Sequence, residues 1–193
     1  VFGKNDILCR ERSGKDLMKI RKNDIFLYGR KMLFQMLEIL YPRRCAVCDE
    51  IEVTGKGICP LCKDKVHVAG EPACKKCGKP LVDERKEFCT DCGKKHHVYT
   101  QGKAVFVYEG GIRNSMYRFK YGNKREYAEF YANAAVEKYG VWLNKIKAEV
   151  LIPIPMYSRK KRLRGYNQAE VFARELGRKV EMSILSGVIT PSN

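Results

Sequence analysis

Cys45-Ala46-Val47-Cys48, Cys59-Pro60-Leu61-Cys62, Cys74-Lys75-Lys76-Cys77 and Cys89-Thr90-Asp91-Cys92 hold eight of the chain's nine cysteines. Ten residues separate the first pair from the second, and eleven separate each later pair from the one before it. A Cys-x-x-Cys turn sets two sulfurs on the same side of a tight knuckle. Two such knuckles about a dozen residues apart, joined by a hairpin, close a tetrahedral zinc site of four thiolates. The unit occurs twice in succession, so the expected metal ligands are Cys45, Cys48, Cys59, Cys62, Cys74, Cys77, Cys89 and Cys92. Pairing adjacent knuckles gives the simplest assignment, 45/48/59/62 and 74/77/89/92, and the spacing leaves a crossed pairing open.

The residues around the sulfurs agree with this reading. Pro60 presets one dihedral of its turn. Gly78 and Gly93 follow Cys77 and Cys92, where a positive φ would turn backbone N–H groups toward sulfur. Asp49 tolerates that conformation less easily and Lys63 fits it worst, so the first unit is expected to be the less regular one. A disulfide framework suits a secreted chain, but the N-terminus has no uninterrupted apolar stretch of signal-peptide type. Thioredoxin-like Cys-x-x-Cys occurs once beside a βαβ pattern, not four times in a Lys- and Gly-rich segment. Cys9 stands alone as an ordinary thiol. His96 and His97 follow a completed ligand shell and read as surface residues.

The chain has 193 residues and a formal net charge of +16. Two four-thiolate zinc centres would each add about −2, leaving about +12. Such an excess attracts polyanions, nucleic acid among them. No segment approaches ~18 uncharged apolar residues, which argues against a membrane span. Reduced, metal-bound cysteines without an export signal point to the cytoplasm. The cysteine region is too small and polar to build a core, so each zinc is expected to supply on the order of 10–16 kcal/mol of its folding.

Outward from the cysteines, residues 1–23 read as a charged leader, and an amphipathic helix is expected from Asp24 to Leu40. Its stripe is Ile25, Tyr28, Met32, Leu33, Met36, Leu37 and Leu40, with Pro42 closing it. On the other side, Ala104–Tyr108 reads as a buried strand and Ile112, Met116 and Phe119 as a short helix. A longer helix is expected over about 124–143, its apolar face formed by Tyr127, Phe130, Tyr131, Ala134, Ala135 and Trp142. Val150–Pro155 reads as a second buried strand. A basic loop, 159–164, precedes a helix capped by Asn167, with Ala169, Phe172, Ala173, Leu176 and Val180 as its inner face. This order is that of an α/β domain with parallel strands.

In such a domain, ligands bind where strands end and helices begin. The stretch between Pro153 and Gln168 occupies that place. Arg162, Arg164 and Gly165, with Asn167 behind them, are the candidate phosphate-binding residues. Arg118, Lys120, Tyr121, Lys160 and Lys161 are candidates for contact with nucleic acid, and Tyr117, Phe119 and Tyr121 for base stacking, although Phe119 reads better as core. Asp49-Glu50 with Thr54-Gly55-Lys56-Gly57 mimics an acidic-pair and Thr-Gly phosphate motif. It follows a zinc knuckle rather than a strand and is set aside.

Leu40-Tyr41-Pro42 before the cysteine pairs, the Cys-Gly knuckles, Phe119-Lys120-Tyr121, Pro153-Ile154-Pro155 and Arg164-Gly165-Tyr166-Asn167-Gln168-Ala169-Glu170 together resemble the ComF family over about residues 33–180. That resemblance implies a double zinc ribbon followed by a type I phosphoribosyltransferase-like domain. The expected fold is therefore an α/β, incomplete phosphoribosyltransferase-like parallel sheet, preceded by a small β-rich double zinc ribbon and an N-terminal helix. The expected boundaries are 1–40, 41–97 and 98–193. The resemblance implies phosphoribosyl pyrophosphate (PRPP) with Mg²⁺ as the substrate class of a full-length form. It also implies single-stranded DNA and DNA-uptake proteins as partners, in competence. The family's acidic pair and Thr/Gly turn are expected beyond Asn193, so this chain is expected to be inactive as a transferase. A plain zinc-ribbon adaptor for protein partners is the remaining reading.

Overall fold

The computed structural model describes Met36, Leu40 and residues 41–189. The expected leader, Cys9 and most of the helix expected over 24–40 lie outside the described residues. Met36 and Leu40 are helical and exposed. Val1–Tyr41 and Pro42–Asn193 form two separate units, and the elements below all belong to the second.

The cysteine region folds as two copies of one plan. Single antiparallel bridges, Arg44 with Ile51 and Ala73 with Pro80, close the first knuckle of each copy at equivalent positions. Cys45 and Cys74 donate N–H bonds to Glu50 O and Lys79 O, both at 2.8 Å. Asp49 and Gly78 donate back to Cys45 O and Cys74 O, and both have positive φ, 68° and 75°. The second knuckle of each copy opens a short helix instead, α1 (Pro60–Lys63) or α2 (Thr90–Lys94), with Pro60 in the first turn where its missing N–H costs nothing. Gly93 therefore sits inside a helical turn, contrary to the expected positive φ. The region is also less β-rich than expected: isolated bridges replace strands, because four cysteine anchors in so short a span leave no room for a ladder.

Four helices and a small sheet follow. Helix α3 spans Gly110–Tyr121 and α4 spans Tyr127–Lys145. Strand β1 (Val150–Leu151) leads into α5 (Ser158–Arg164) and α6 (Gln168–Val180), and β2 (Ser183–Ile184) returns parallel to β1 in the register Val150–Ser183 and Leu151–Ile184. The β1–α5–α6–β2 unit makes a parallel connection, but its second strand, Ser183–Ile184, is not among the expected strands, and the sheet has two strands among the described residues. Two expectations change. Ala104–Tyr108 is an extended segment bridged antiparallel to Val68 through Phe106, not a strand of the parallel sheet. The basic stretch 159–164 is helical, because Gly165 takes φ +77° and its N–H closes on Lys161 O at 2.8 Å. The Arg and Lys residues of its last turn face the negative end of the helix dipole.

The core lies between α3, α4 and the start of α6. Ile112, Phe119, Tyr127, Ala128, Phe130, Tyr131 and Tyr166 are buried together with Ala46 of the first knuckle, and Ile58, Val66 and Phe106 pack against them. A second cluster joins Ala132, Ala135 and Leu143 of α4 to Leu176 of α6, against Leu151. The expected stripe of α4 is thus its inner face. Ser115 and the Tyr131 hydroxyl satisfy each other inside the core at 2.6 Å, as buried polar groups must.

Candidate metal centre and nucleic-acid interface

Each knuckle pair brings four sulfurs into one small volume. Cys45, Cys48, Cys59 and Cys62 form one group, and Cys74, Cys77, Cys89 and Cys92 the other. Within each group the ligand atoms lie within 4.8 Å of one another. Four sulfurs about 2.3 Å from one metal stand about 3.8 Å from each other. Cys48 Sγ and Cys59 Sγ are 3.8 Å apart, and so are Cys77 Sγ and Cys89 Sγ. A disulfide would require about 2.05 Å, and all eight thiols are free. The adjacent pairing is the one the fold brings together. Cys45, Cys62, Cys74 and Cys89 are buried and their partners half-buried.

The backbone prepares one sulfur of each group for negative charge. Burial works against ionisation of Cys45, but hydrogen bonds from the backbone of Cys48, Cys59 and Val47 outweigh it and bring the thiol from 9.0 to about 7. Cys74 follows the same rule: burial opposes, the backbone of Cys89, Cys77 and Lys76 prevails, and the thiol falls to about 6. Burial first, and then the neighbouring thiols, push Cys62 and Cys92 up to about 12. One thiol in each group ionises readily while another resists. A divalent soft-ligand cation resolves that conflict by neutralising the shared charge, which is the chemistry of a four-thiolate zinc site. The donor set, the spacing and the N–H···S bonds fit two structural zincs, with no side left open for a substrate.

Residues 36–93 match the family described as a double zinc ribbon domain. This segment is a zinc-binding double zinc ribbon. Comparison of the chain with curated proteins and with solved structures finds no match. Among the described residues, no helix is long and apolar enough to cross a membrane.

The two ribbons relate differently to the rest of the unit. Asp49, beside Cys48, pairs with Lys124 at 2.8 Å and accepts from the Tyr127 hydroxyl at 2.6 Å. Arg118 donates to Val47 O at 2.9 Å, and Arg43 pairs with Glu129 at 3.0 Å. The first ribbon is thereby fixed to α3 and α4. The second ribbon rests on backbone: Gly102 donates to Lys76 O, and a Cβ at Gly78 would stand 2.6 Å from Ala104 N. Sequence reasoning missed the Asp49, Arg43 and Arg118 contacts, since nothing local marks a charge as facing a distant helix.

The candidate phosphate residues do not form one cradle. Asn167 caps α6, accepting from Ala169 N at 3.0 Å, and donates to Ile154 O at 3.0 Å. Glu170, three residues on, pairs with Arg174 and Lys161. Arg164 donates to Gln168 Oε1 at 3.2 Å and to the Tyr121 hydroxyl at 2.9 Å. Gly165 is the left-handed turn between α5 and α6, with Arg125 against its carbonyl. Arg162 is exposed on α5, two positions from Arg164 and so on a different side of the helix. The Arg164–Gln168 stretch works as a staple: Tyr166 is buried and its hydroxyl donates to Phe119 O, while Gln168 donates to Lys120 O. The set-aside Thr-Gly loop is filled from within. The buried Glu52 carboxylate accepts from Thr54 N and Oγ1 and from Gly57 N, the donors a phosphate would need.

Among the nucleic-acid candidates, Phe119 is core and Arg118 is turned inward onto Val47, whereas Tyr117 and Tyr121 are 65% and 57% exposed. Their rings lie 5.0 Å apart, and the Arg164 guanidinium stands 4.6 Å from the Tyr121 centroid. Lys160, one helical turn before Arg164, lies 5.9 Å from the Tyr157 ring. Lys161 is exposed on the same helix and faces Glu170 at 3.8 Å.

Proposed function

We propose that this chain is a zinc-stabilised module that binds single-stranded nucleic acid, with Cys45, Cys48, Cys59 and Cys62 holding one zinc and Cys74, Cys77, Cys89 and Cys92 the other. The observation that carries the binding role is the pair of exposed rings Tyr117 and Tyr121 on α3 beside the half-buried Arg164 and the exposed Lys160 of α5. Rings beside cations suit a strand whose bases stack and whose phosphates pair, without reading sequence. The net charge of +16 supplies long-range attraction. The resemblance to the ComF family extends this reading to single-stranded DNA handled in the cytoplasm during DNA uptake, together with other uptake proteins.

The transferase reading of a full-length form rests on the resemblance alone. PRPP chemistry needs Mg²⁺ and an acidic pair at a strand end. Here β1 runs into Ile152-Pro153-Ile154-Pro155 and β2 into Leu185-Ser186-Gly187. Asp49 is committed to Lys124 and Tyr127. The described residues do not fit that group.

Anisotropy titration of a labelled oligothymidylate at several salt concentrations tests the proposal. The expected result is binding that weakens with salt, and a loss of about tenfold or more for the Tyr117→Ala/Tyr121→Ala variant. Binding indifferent to both salt and the double variant would favour the protein-adaptor reading.

A further inference from the structure

The second ribbon carries a hollow beside its zinc site, bordered by Cys92 and Gly93 of the second knuckle. It has a volume of about 330 Å³, and its lining includes Lys76, Phe88, Lys95, His96 and His97. No carboxylate is among its lining residues. Three acids of this ribbon are paired with other cations: Glu87 with Lys75, Asp91 with Lys79 and Asp83 with Arg85.

Rings stand among these cations. His97 stacks on Tyr99 with centroids 5.2 Å apart and planes 26° from parallel. Lys76 Nζ lies 5.3 Å from the centre of the same Tyr99 ring. Tyr99 is 42% exposed and Phe88 46%. Gly102 N–H holds Lys76 O at the base of this arrangement, and Gln101 reaches Lys75 O, so the segment carrying Tyr99 is tied back to the knuckle that carries Lys76. The module has too little apolar surface to hold such a shape without its metal. The zinc would therefore fix the cations and rings in place.

We infer that this hollow is a second single-strand subsite, taking a phosphodiester on Lys76 and Lys95 and a base against the His97–Tyr99 stack. The inference rests on the reading that the chain binds single-stranded nucleic acid, and it adds a contact outside α3 and α5. A strand engaged at both places is held by two weak contacts acting as one. The zinc of the second ribbon then serves binding, by shaping this surface.

The test uses the full zinc-loaded chain and labelled oligothymidylate, comparing Lys76→Ala/Lys95→Ala, Tyr99→Ala and Tyr117→Ala/Tyr121→Ala, each with its zinc content measured. The lysine pair should weaken binding about tenfold and lower the slope of log K against log salt by about 1.4, two phosphates at about 0.7 each. Tyr99→Ala should weaken binding about fivefold or more while leaving that slope alone. The Lys76→Arg/Lys95→Arg variant should bind as the parent does. Parental affinity and slope in the lysine pair, at full zinc content, would overturn the subsite. So would a Tyr99→Ala protein that binds as the parent. If the ribbon variants lose affinity and the α3 variant does not, the subsite stands and the α3–α5 surface falls. The reverse pattern removes the subsite alone, and a parent chain that binds no strand removes both.

Discussion

The two zinc ribbons share a ligand plan and differ in what surrounds it. In the first, Cys45 and Cys62 are buried with Val47, and Ile58 and Val66 bridge that cluster to the core of α3 and α4. In the second, Phe88, Val82, Val98 and Tyr99 are all substantially exposed, and among the described residues no buried cluster includes its cysteines. One four-thiolate centre is a wall of the hydrophobic core. The other is a self-contained knuckle on its edge. The same metal chemistry can therefore support a whole unit or only a surface.

Removing one ligand from each ribbon breaks this comparison most directly. Cys62→Ser should cost one zinc and much of the cooperative unfolding of the α3–α4 core, because a site worth on the order of 10 kcal/mol rivals the net stability of a typical domain. Cys89→Ser should also cost one zinc yet leave the helical circular dichroism and the main thermal transition close to parental. Zinc assay and thermal unfolding of both proteins decide it. Equal collapse of the two would mean that the second ribbon is as deeply wired as the first.

Much of this is legible in the sequence, and the reasons for the rest are physical. The cysteine groups can be read because ligand spacing is a local geometric constraint. The helix over 124–143 can be read because Tyr127, Phe130, Tyr131 and Ala135 recur at the helical period, and all four are buried. Ala104–Tyr108 is misread as a sheet strand because a run of apolar residues does not say which partner it pairs with; here the partner is His67–Ala69. The basic stretch 159–164 reads as loop because its charges hide the helical signal, although the left-handed Gly165 ends a helix there. At the interface, Arg118 and Tyr117 are neighbours on α3, one turned to Val47 and the other to solvent. A surface charge and a structural charge look alike until the distant backbone they meet is known.

Gly78 sharpens the contrast from the other side, since it concerns the second ribbon alone. Its φ of +75° disfavours any Cβ, and the added atom would meet the backbone of Ala104 at 2.6 Å and Lys103 at 3.0 Å. Backbone cannot step aside as a side chain can. Gly78→Ala should therefore destabilise the second ribbon by about 1–2 kcal/mol or more. The expected signature is faster amide exchange over residues 74–102 with the exchange of α3 and α4 unchanged. Acceleration spreading into α4 would show the edge knuckle and the core to be one cooperative unit.

Asp49 offers the finest test of how the first ribbon is fixed. Burial raises its carboxyl, but hydrogen bonds from Lys124 and Tyr127 outweigh that and hold it below 3.8. A depressed folded-state value means that the contribution is complete above 3.8 and is lost as pH falls through the folded value. Asp49→Asn keeps a residue that tolerates the left-handed φ of 68°, so the substitution removes charge without adding strain. The expected cost is about 1 kcal/mol, with the Lys124 and Asp49 side chains only 23% and 29% exposed. Measured by chemical denaturation of the zinc-loaded protein, the gap between the two proteins should stay constant from about pH 8 to about pH 5. The position matters more than the size. Asp49 directly follows a metal ligand, so a charge that steadies it also steadies Cys48. A gap that narrowed already near neutrality would assign the effect to the thiolates rather than to the carboxylate.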